Sequence, residues 1–142
     1  MTAILQICHR IVATNEWMNE WHNHRSGWSS SWLTSMYSRK KVVRLKAAES
    51  HAACDHLLRI GRDDPNEAAI QKDVHLLSAA LSADKSILSR DDRMRAILRE
   101  LPGLPKELAE IHWANPSVAT EDVLAWLTSG AEPDPARRLV PA

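Results

Sequence analysis

Apolar residues recur along most of this chain at steps of three and four, interrupted by apolar runs too short to be helices. Ala3 to Cys8 is apolar at helical spacing, and Arg10-Ile11-Val12-Ala13 is a short β-prone run. Thr14 offers an N-cap for the helix that follows. Trp17, Trp21, Trp28 and Trp32 fall at offsets of 4, 11 and 15 residues. At 100° per residue, that spacing predicts all four within about 60° of arc on one helical face. Ser26-Gly27 breaks the stretch into two helices, the second running through Leu33 and Met36 to the basic cluster Arg39-Lys40-Lys41. Val42-Val43-Arg44-Leu45 then reads as a strand or an extended connection.

The second half repeats the alternation. Ala47 to Ile60 has helix-forming composition and stops at Gly61, which reads as a C′ residue. Asp64-Pro65 marks the next start, and Ile70, Val74, Leu77 and Leu81 recur at steps of 4, 3 and 4, which predicts a helix over Asn66 to Ala83. Ser86-Ile87-Leu88-Ser89 is a buried strand by its length and boundaries, and Asp92 to Leu101 is a further helix. After the turn Pro102 to Pro105, Ile111-His112-Trp113 is one more strand, closed by Asn115-Pro116. Thr120 caps a last helix, Glu121 to Ser129, with Gly130 as its C′ glycine. Residues 133–142 read as a flexible tail after a single domain over 1–132. Helices alternating with short apolar strands predict an α/β fold, a short parallel sheet flanked by helices.

Composition narrows the class. With 142 residues, 44% hydrophobic and 25% charged, the chain can bury a core, and no apolar run approaches the roughly 20 residues of a membrane span. The cytoplasm is the expected compartment, with no membrane partner. Cys8 and Cys54 form no Cys-x-x-Cys pair, so they read as small core residues rather than as a disulfide or thiolate zinc site. The 18 basic and 18 acidic residues cancel, yet up to Lys46 seven basic residues face only Glu16 and Glu20, a surplus of five positive charges. The remainder is acidic by the same margin. A basic part suits a phosphate backbone and an acidic part suits a divalent cation.

Standard chemical signatures are scarce. Four glycines (Gly27, Gly61, Gly103, Gly130) cannot build a phosphate-cradling loop, and His22-Asn23-His24 reads as exposed helix rather than as a nuclease motif. His9, His51 and His56 show no metal-ligand spacing. A few acids stand in suggestive places. Asp91 lies just beyond the strand ending at Leu88 or Ser89, where parallel α/β sheets put functional groups. Asp73 falls between Ile70 and Leu77, which tilts its carboxylate toward the buried side of its helix, and Glu20 borders the tryptophan face. A carboxylate turned inward is costly without a partner, a cap or a metal. Each acid also fits a plainer role: Asp73 as a helix cap, Asp91 or Asp92 as the N-cap of the next helix, and Glu20 as a partner of His24 or Arg25.

The strings Lys72-Asp73-Val74-His75-Leu76-Leu77-Ser78-Ala79-Ala80-Leu81 and Ser86-Ile87-Leu88-Ser89-Arg90-Asp91 resemble the C-terminal half of a PIN domain. There an aspartate opens a helix, and a Ser/Thr-x-Asp ends the next strand. His9-Arg10-Ile11-Val12 with Asn19-Glu20-Trp21 and the Trp28 to Met36 helix resemble the middle of PIN-like proteins. Ile111-His112-Trp113-Ala114-Asn115-Pro116, with Ala125-Trp126-Leu127 and Gly130-Ala131, is similar to the tail of one PIN-like subgroup.

The resemblance implies a ribonuclease, of toxin type in some members, that uses Mg²⁺ or Mn²⁺ to hydrolyse RNA. It implies Glu20, Asp73 and Asp91 as catalytic metal ligands, with Asp92 as a neighbour and Ser89 orienting Asp91. Arg39, Lys40, Lys41, Arg90 and Arg93 would contact phosphates, although the lysine run also fits a solvated helix end. It further implies an antitoxin-like protein partner, and the unpaired sheet edges suggest a homodimer. PIN domains open on a strand that carries an aspartate, and nothing before Glu16 here is acidic. The chain therefore resembles either an N-terminally shortened member or a divergent one that lacks one ligand. The alternative is an inactive PIN-like module that binds RNA or a protein.

Overall fold

The computed structural model describes residues 2–6, 9–45 and 51–141, so Cys8 and the expected helix start at Ala47 lie outside the described residues. The chain forms two compact units, each described by itself. One comprises Met1–Ala48 with Leu124–Glu132, the other Glu49–Val123 with Pro133–Ala142. Both are α/β, and each holds one parallel two-stranded sheet among helices.

In the first unit, α1 (Thr2–Gln6) precedes β1 (Ile11–Ala13), α2 (Asn15–Asn23), α3 (Gly27–Ser38) and β2 (Val42–Arg44). The start signals act as read: Thr14 Oγ1 accepts from the Trp17 N–H at 3.1 Å, capping α2. Ser26 caps α3 through a reciprocal capping box with Ser29. Strands β1 and β2 pair in parallel, with Val12 opposite Val43. Lys41 Nζ donates to the Ile4 carbonyl at 2.8 Å and Arg44 Nη2 to Asn15 Oδ1 at 3.0 Å, so both ends of the β2 segment are tied to helices of the same unit. The first tie places a cation at the carbonyl end of α1, where the helix dipole favours it.

In the second unit, α4 (Ala52–Ile60) and α5 (Glu67–Leu81) lead into β3 (Ser86–Leu88), α6 (Asp92–Glu100), α7 (Lys106–Ala109) and β4 (His112–Ala114). Strands β3 and β4 are parallel, with Ile87 opposite Trp113. Leu57, Ile70, Leu77, Ile87, Leu98, Leu108, Ile111 and Trp113 form the centre of one apolar core. Gly61 is not a left-handed cap; it has a helical φ of −82°, and a side chain there would press on Ile70 Cδ1 at 3.0 Å and the Leu57 carbonyl at 3.2 Å. Close packing of α4 on α5 therefore explains the glycine.

Other expectations shift. Asp64 does not cap α5 directly: its carboxylate accepts from the Asn66 N–H at 2.8 Å, and the helix starts at Glu67. Thr120 lies inside a 3₁₀ turn (Ala119–Glu121), and the chain reverses through Asp122 at φ +42° before α8 (Val123–Thr128). Periodicity did not reveal α7, which is a single turn. The stretch read as a flexible tail is packed: Arg138 bridges His112, the Leu139 N–H donates to the Ile111 carbonyl at 2.7 Å, and the Leu139 side chain is 0% exposed. Its cue is one buried leucine, too little for a periodicity.

Leu139→Ala should therefore lower unfolding stability by about 2–5 kcal/mol. Val140→Ala, at a 40% exposed side chain, should change it by less than about 0.5 kcal/mol. Urea unfolding followed by circular dichroism separates the two.

Candidate functional site

The acids singled out from the sequence sit on three different elements. Glu20 lies on α2, half-buried, on the side of the helix that carries Trp17. Asp73 lies inside α5, half-buried, so it is not a helix cap. Asp91 follows β3 and is exposed; its Oδ1 accepts from the Met94 N–H at 2.8 Å, so it caps α6. Ser89 bears on it through the backbone, its Oγ accepting from the Asp91 N–H at 3.0 Å. Asp92 is the first residue of α6, exposed, and 3.8 Å from Arg95 Nη1.

Glu20 in the first unit, and Asp73 and His75 in the second, each carry a donor that a metal ion accepts, as does the Asp91 carboxylate. His75 escaped the sequence reading because residues two apart on a helix do not share a face, so Asp73-x-His75 is no ligand spacing. Among the described residues, the other histidines named from the sequence have plainer roles. His9 Nε2 donates to the Leu127 carbonyl at 2.7 Å, His51 Nε2 lies 2.8 Å from Ser82 Oγ, and His56 Nδ1 is 3.3 Å from Arg59 Nη2. His22 and His24 are exposed, as expected.

Beyond the carboxyl end of β4, Glu121 holds two partners at once. Its Oε1 accepts from Arg95 Nη1 at 2.6 Å and its Oε2 from the Asn115 N–H at 2.7 Å. A cavity of about 400 Å³ beside this pair is lined by Asp92, Arg95, Arg99 and Glu100 together with Ala96, Val118 and Glu121. Burial and the neighbouring Arg95 guanidinium pull Arg99 below its ordinary pKa, and Arg99 Nε donates to the Leu139 carbonyl at 2.5 Å. Arg95, Glu121 and Arg99 are thus committed to one another and to the backbone. Glu121 had no signal in the sequence beyond its place after β4.

The tryptophans of the first unit form a stack. Trp17 and Trp21 lie with ring centroids 4.9 Å apart and planes 23° apart, and Trp21 and Trp32 at 5.5 Å and 37°. Trp28 does not join the face predicted for it; it is 56% exposed, because the break at Ser26-Gly27 resets the helical phase. A cavity of about 290 Å³ is lined by Trp17, Glu20, Trp21, His24 and Ser29. The Trp21 Nε1 atom is buried and has no hydrogen-bond partner.

Of the basic residues, Arg39 is the C-cap of α3, and Arg39, Lys40, Arg90 and Arg93 are exposed. Lys41 is half-buried and committed to the Ile4 carbonyl, as described above. Cys54 is a buried core thiol, as expected, and burial followed by the nearby Asp55 carboxylate pushes its pKa up to about 11. No helix among the described residues is long and apolar enough to cross a membrane.

No protein-family model, curated protein or solved structure matches the chain. The site therefore stands on its own residues.

Glu121→Ala should strand the Arg95 guanidinium and cost about 2–4 kcal/mol, somewhat under a fully buried pair because both groups keep some contact with water. Replacing both partners with apolar residues should recover much of that loss in the same unfolding measurement. At pH 8 the folded protein should leave Cys54 unmodified by iodoacetamide while the unfolded chain reacts, because only the thiolate is nucleophilic. A raised thiol pKa also means that the native state holds a proton which the unfolded chain releases first. Its contribution is present in full below about pH 9 and is lost as pH rises toward about 11.

Proposed function

We propose that the chain is a PIN-like ribonuclease that hydrolyses RNA phosphodiester bonds with Mg²⁺ or Mn²⁺, its metal ligands drawn from Glu20, Asp73 and Asp91. The observation that carries this reading is the state of two acids chosen on sequence grounds. Glu20 and Asp73 are both half-buried, and with His75 they have the donor chemistry of a metal site. Carboxylate oxygens suit Mg²⁺ and Mn²⁺, and an imidazole added to them favours Mn²⁺ over Mg²⁺. A cation held there would lower the pKa of a bound water and offset the charge that builds on the phosphate during attack.

The chain's own residues have separable tasks in this reading. Glu20 and Asp73 supply the negative charge, and His75 the third donor. Asp91 keeps one oxygen on the α6 cap, which fixes its carboxylate at the end of β3. Arg39, Lys40, Arg90 and Arg93 serve as phosphate contacts, which orient the strand without reading its sequence. Lys41 leaves that set, because an ammonium bonded to a carbonyl has less to offer a phosphate.

The test is incubation of single-stranded RNA with the protein in Mg²⁺ or Mn²⁺, with and without EDTA. Cleavage should stop with chelator, and Glu20→Gln or Asp73→Asn should each lower it about 100-fold or more. Cleavage indifferent to EDTA and to both substitutions overturns the reading. RNA bound but left intact in both metals replaces it with a non-catalytic RNA-binding module.

A further inference from the structure

We propose that the cavity beside Trp17 and Trp21 of the tryptophan stack is a nucleobase subsite, in which one unpaired base of a single-stranded RNA stacks against Trp17. The inference rests on the RNA reading above for its ligand, and not on cleavage.

The stack has a closed end and an open one. Trp32, 4% exposed, ends it in the interior, Trp21 lies between, and Trp17, half-buried, lines the cavity of about 290 Å³ together with Trp21. A planar ring placed there extends an existing series of aromatic contacts. The volume lies at the lower limit of small-molecule pockets, about 300–1,000 Å³, so it suits a single ring system and not a larger ligand.

The lining has the polarity of a base edge. Beside the indole rings stand the Glu20 carboxylate, the His24 imidazole and Ser29. Trp21 Nε1 is a buried donor without a partner on the same ring that lines the cavity. Nucleobases carry ring acceptors next to exocyclic amino donors, which match an indole N–H and a carboxylate together.

The charge of the surrounding sequence favours a ligand that carries phosphates. The sequence through Lys46 carries a surplus of five positive charges, and Arg39 and Lys40 are exposed on this unit. A basic surplus draws a phosphate backbone, and basic surface with an aromatic platform is the combination used for single strands.

The experiment uses the full chain in EDTA, so that binding is read without turnover. A fluorescein-labelled hexamer of adenosine or uridine is compared by anisotropy with an abasic ribose-phosphate hexamer, and tryptophan quenching is recorded in parallel. The base-bearing strand should bind about tenfold or more tightly and quench the indole emission. Trp17→Leu, which keeps apolar bulk and removes the flat ring, should abolish that margin, whereas Trp28→Leu, outside the stack, should retain it. Equal affinity for the abasic strand, or a margin that survives Trp17→Leu, overturns the proposal. Should Trp17→Leu fail to fold by circular dichroism, the wild-type margin and quenching decide alone. A base-dependent margin without cleavage in metal supports the subsite and removes the nuclease reading. Cleavage without such a margin does the reverse.

Discussion

Parallel strands of three residues are the constraint on which both units depend. Such a pair closes only a few slanted hydrogen bonds, and parallel sheets persist where helices cover their faces and something occupies their edges. In the second unit α5 packs against β3, while α4, α5 and α7 pack on one another, so Ile87 and Trp113 are buried in helical surroundings. The outer edge of β4 is occupied by the chain's own last residues, through Arg138 and Leu139. Removing that segment would expose both an edge and a core leucine. In the first unit, Ala13 on β1 is fully buried, and Lys41 and Arg44 hold the β2 segment to α1 and α2.

Short strands leave few positions at their carboxyl ends, and the second unit uses those positions structurally. Asp91 caps α6, Asn115 donates its backbone N–H to Glu121, and Glu121 neutralises Arg95. Each contact satisfies a polar group that would otherwise be unpaired near the core. The general rule that α/β ligands bind beyond strand ends therefore loses force here, because the groups at those ends already have partners. Two half-buried acids singled out from the sequence, Glu20 and Asp73, are carried on helices instead. A helix holds a side chain more rigidly than a loop does, which favours a fixed donor geometry over an adaptable one.

Much of this was legible in the sequence, for reasons that differ by element. Thr14 marked a true helix start because a hydroxyl before an apolar repeat has one dominant use, Ser26-Gly27 marked a true break, and β1 to β4 all fell on short apolar runs. Boundaries failed where two signals competed. Asp64-Pro65 looked like a start, yet Asp64 forms its own turn with Asn66, and Thr120 lost to a reversal at Asp122. Packing reasons left no local trace: Gly61 reads as a cap until Ile70 is seen against it, and Leu139 reads as tail until Ile111 pairs with it. Among the site residues, Glu20 and Asp73 could be found from their phase against apolar neighbours. His75 could not, since its relation to Asp73 follows no helical repeat.

Trp17 and Glu20 stand three residues apart on α2, and that spacing ties the aromatic stack to the acid on one face of one helix. The cavity lined by Trp17 is lined by Glu20 as well. A base seated on Trp17 would thus bring its own sugar and phosphate to within a nucleotide's reach of that carboxylate, with no rearrangement of the backbone. The order of the stack adds a direction. Its inner end is closed by Trp32, so a further ring would have to be added at Trp17. Stacking would then act as a positioning device rather than as a source of affinity alone. By fixing where one base lies, it would select which phosphodiester approaches Glu20, and that selection belongs to the geometry of α2 whatever the strand's sequence.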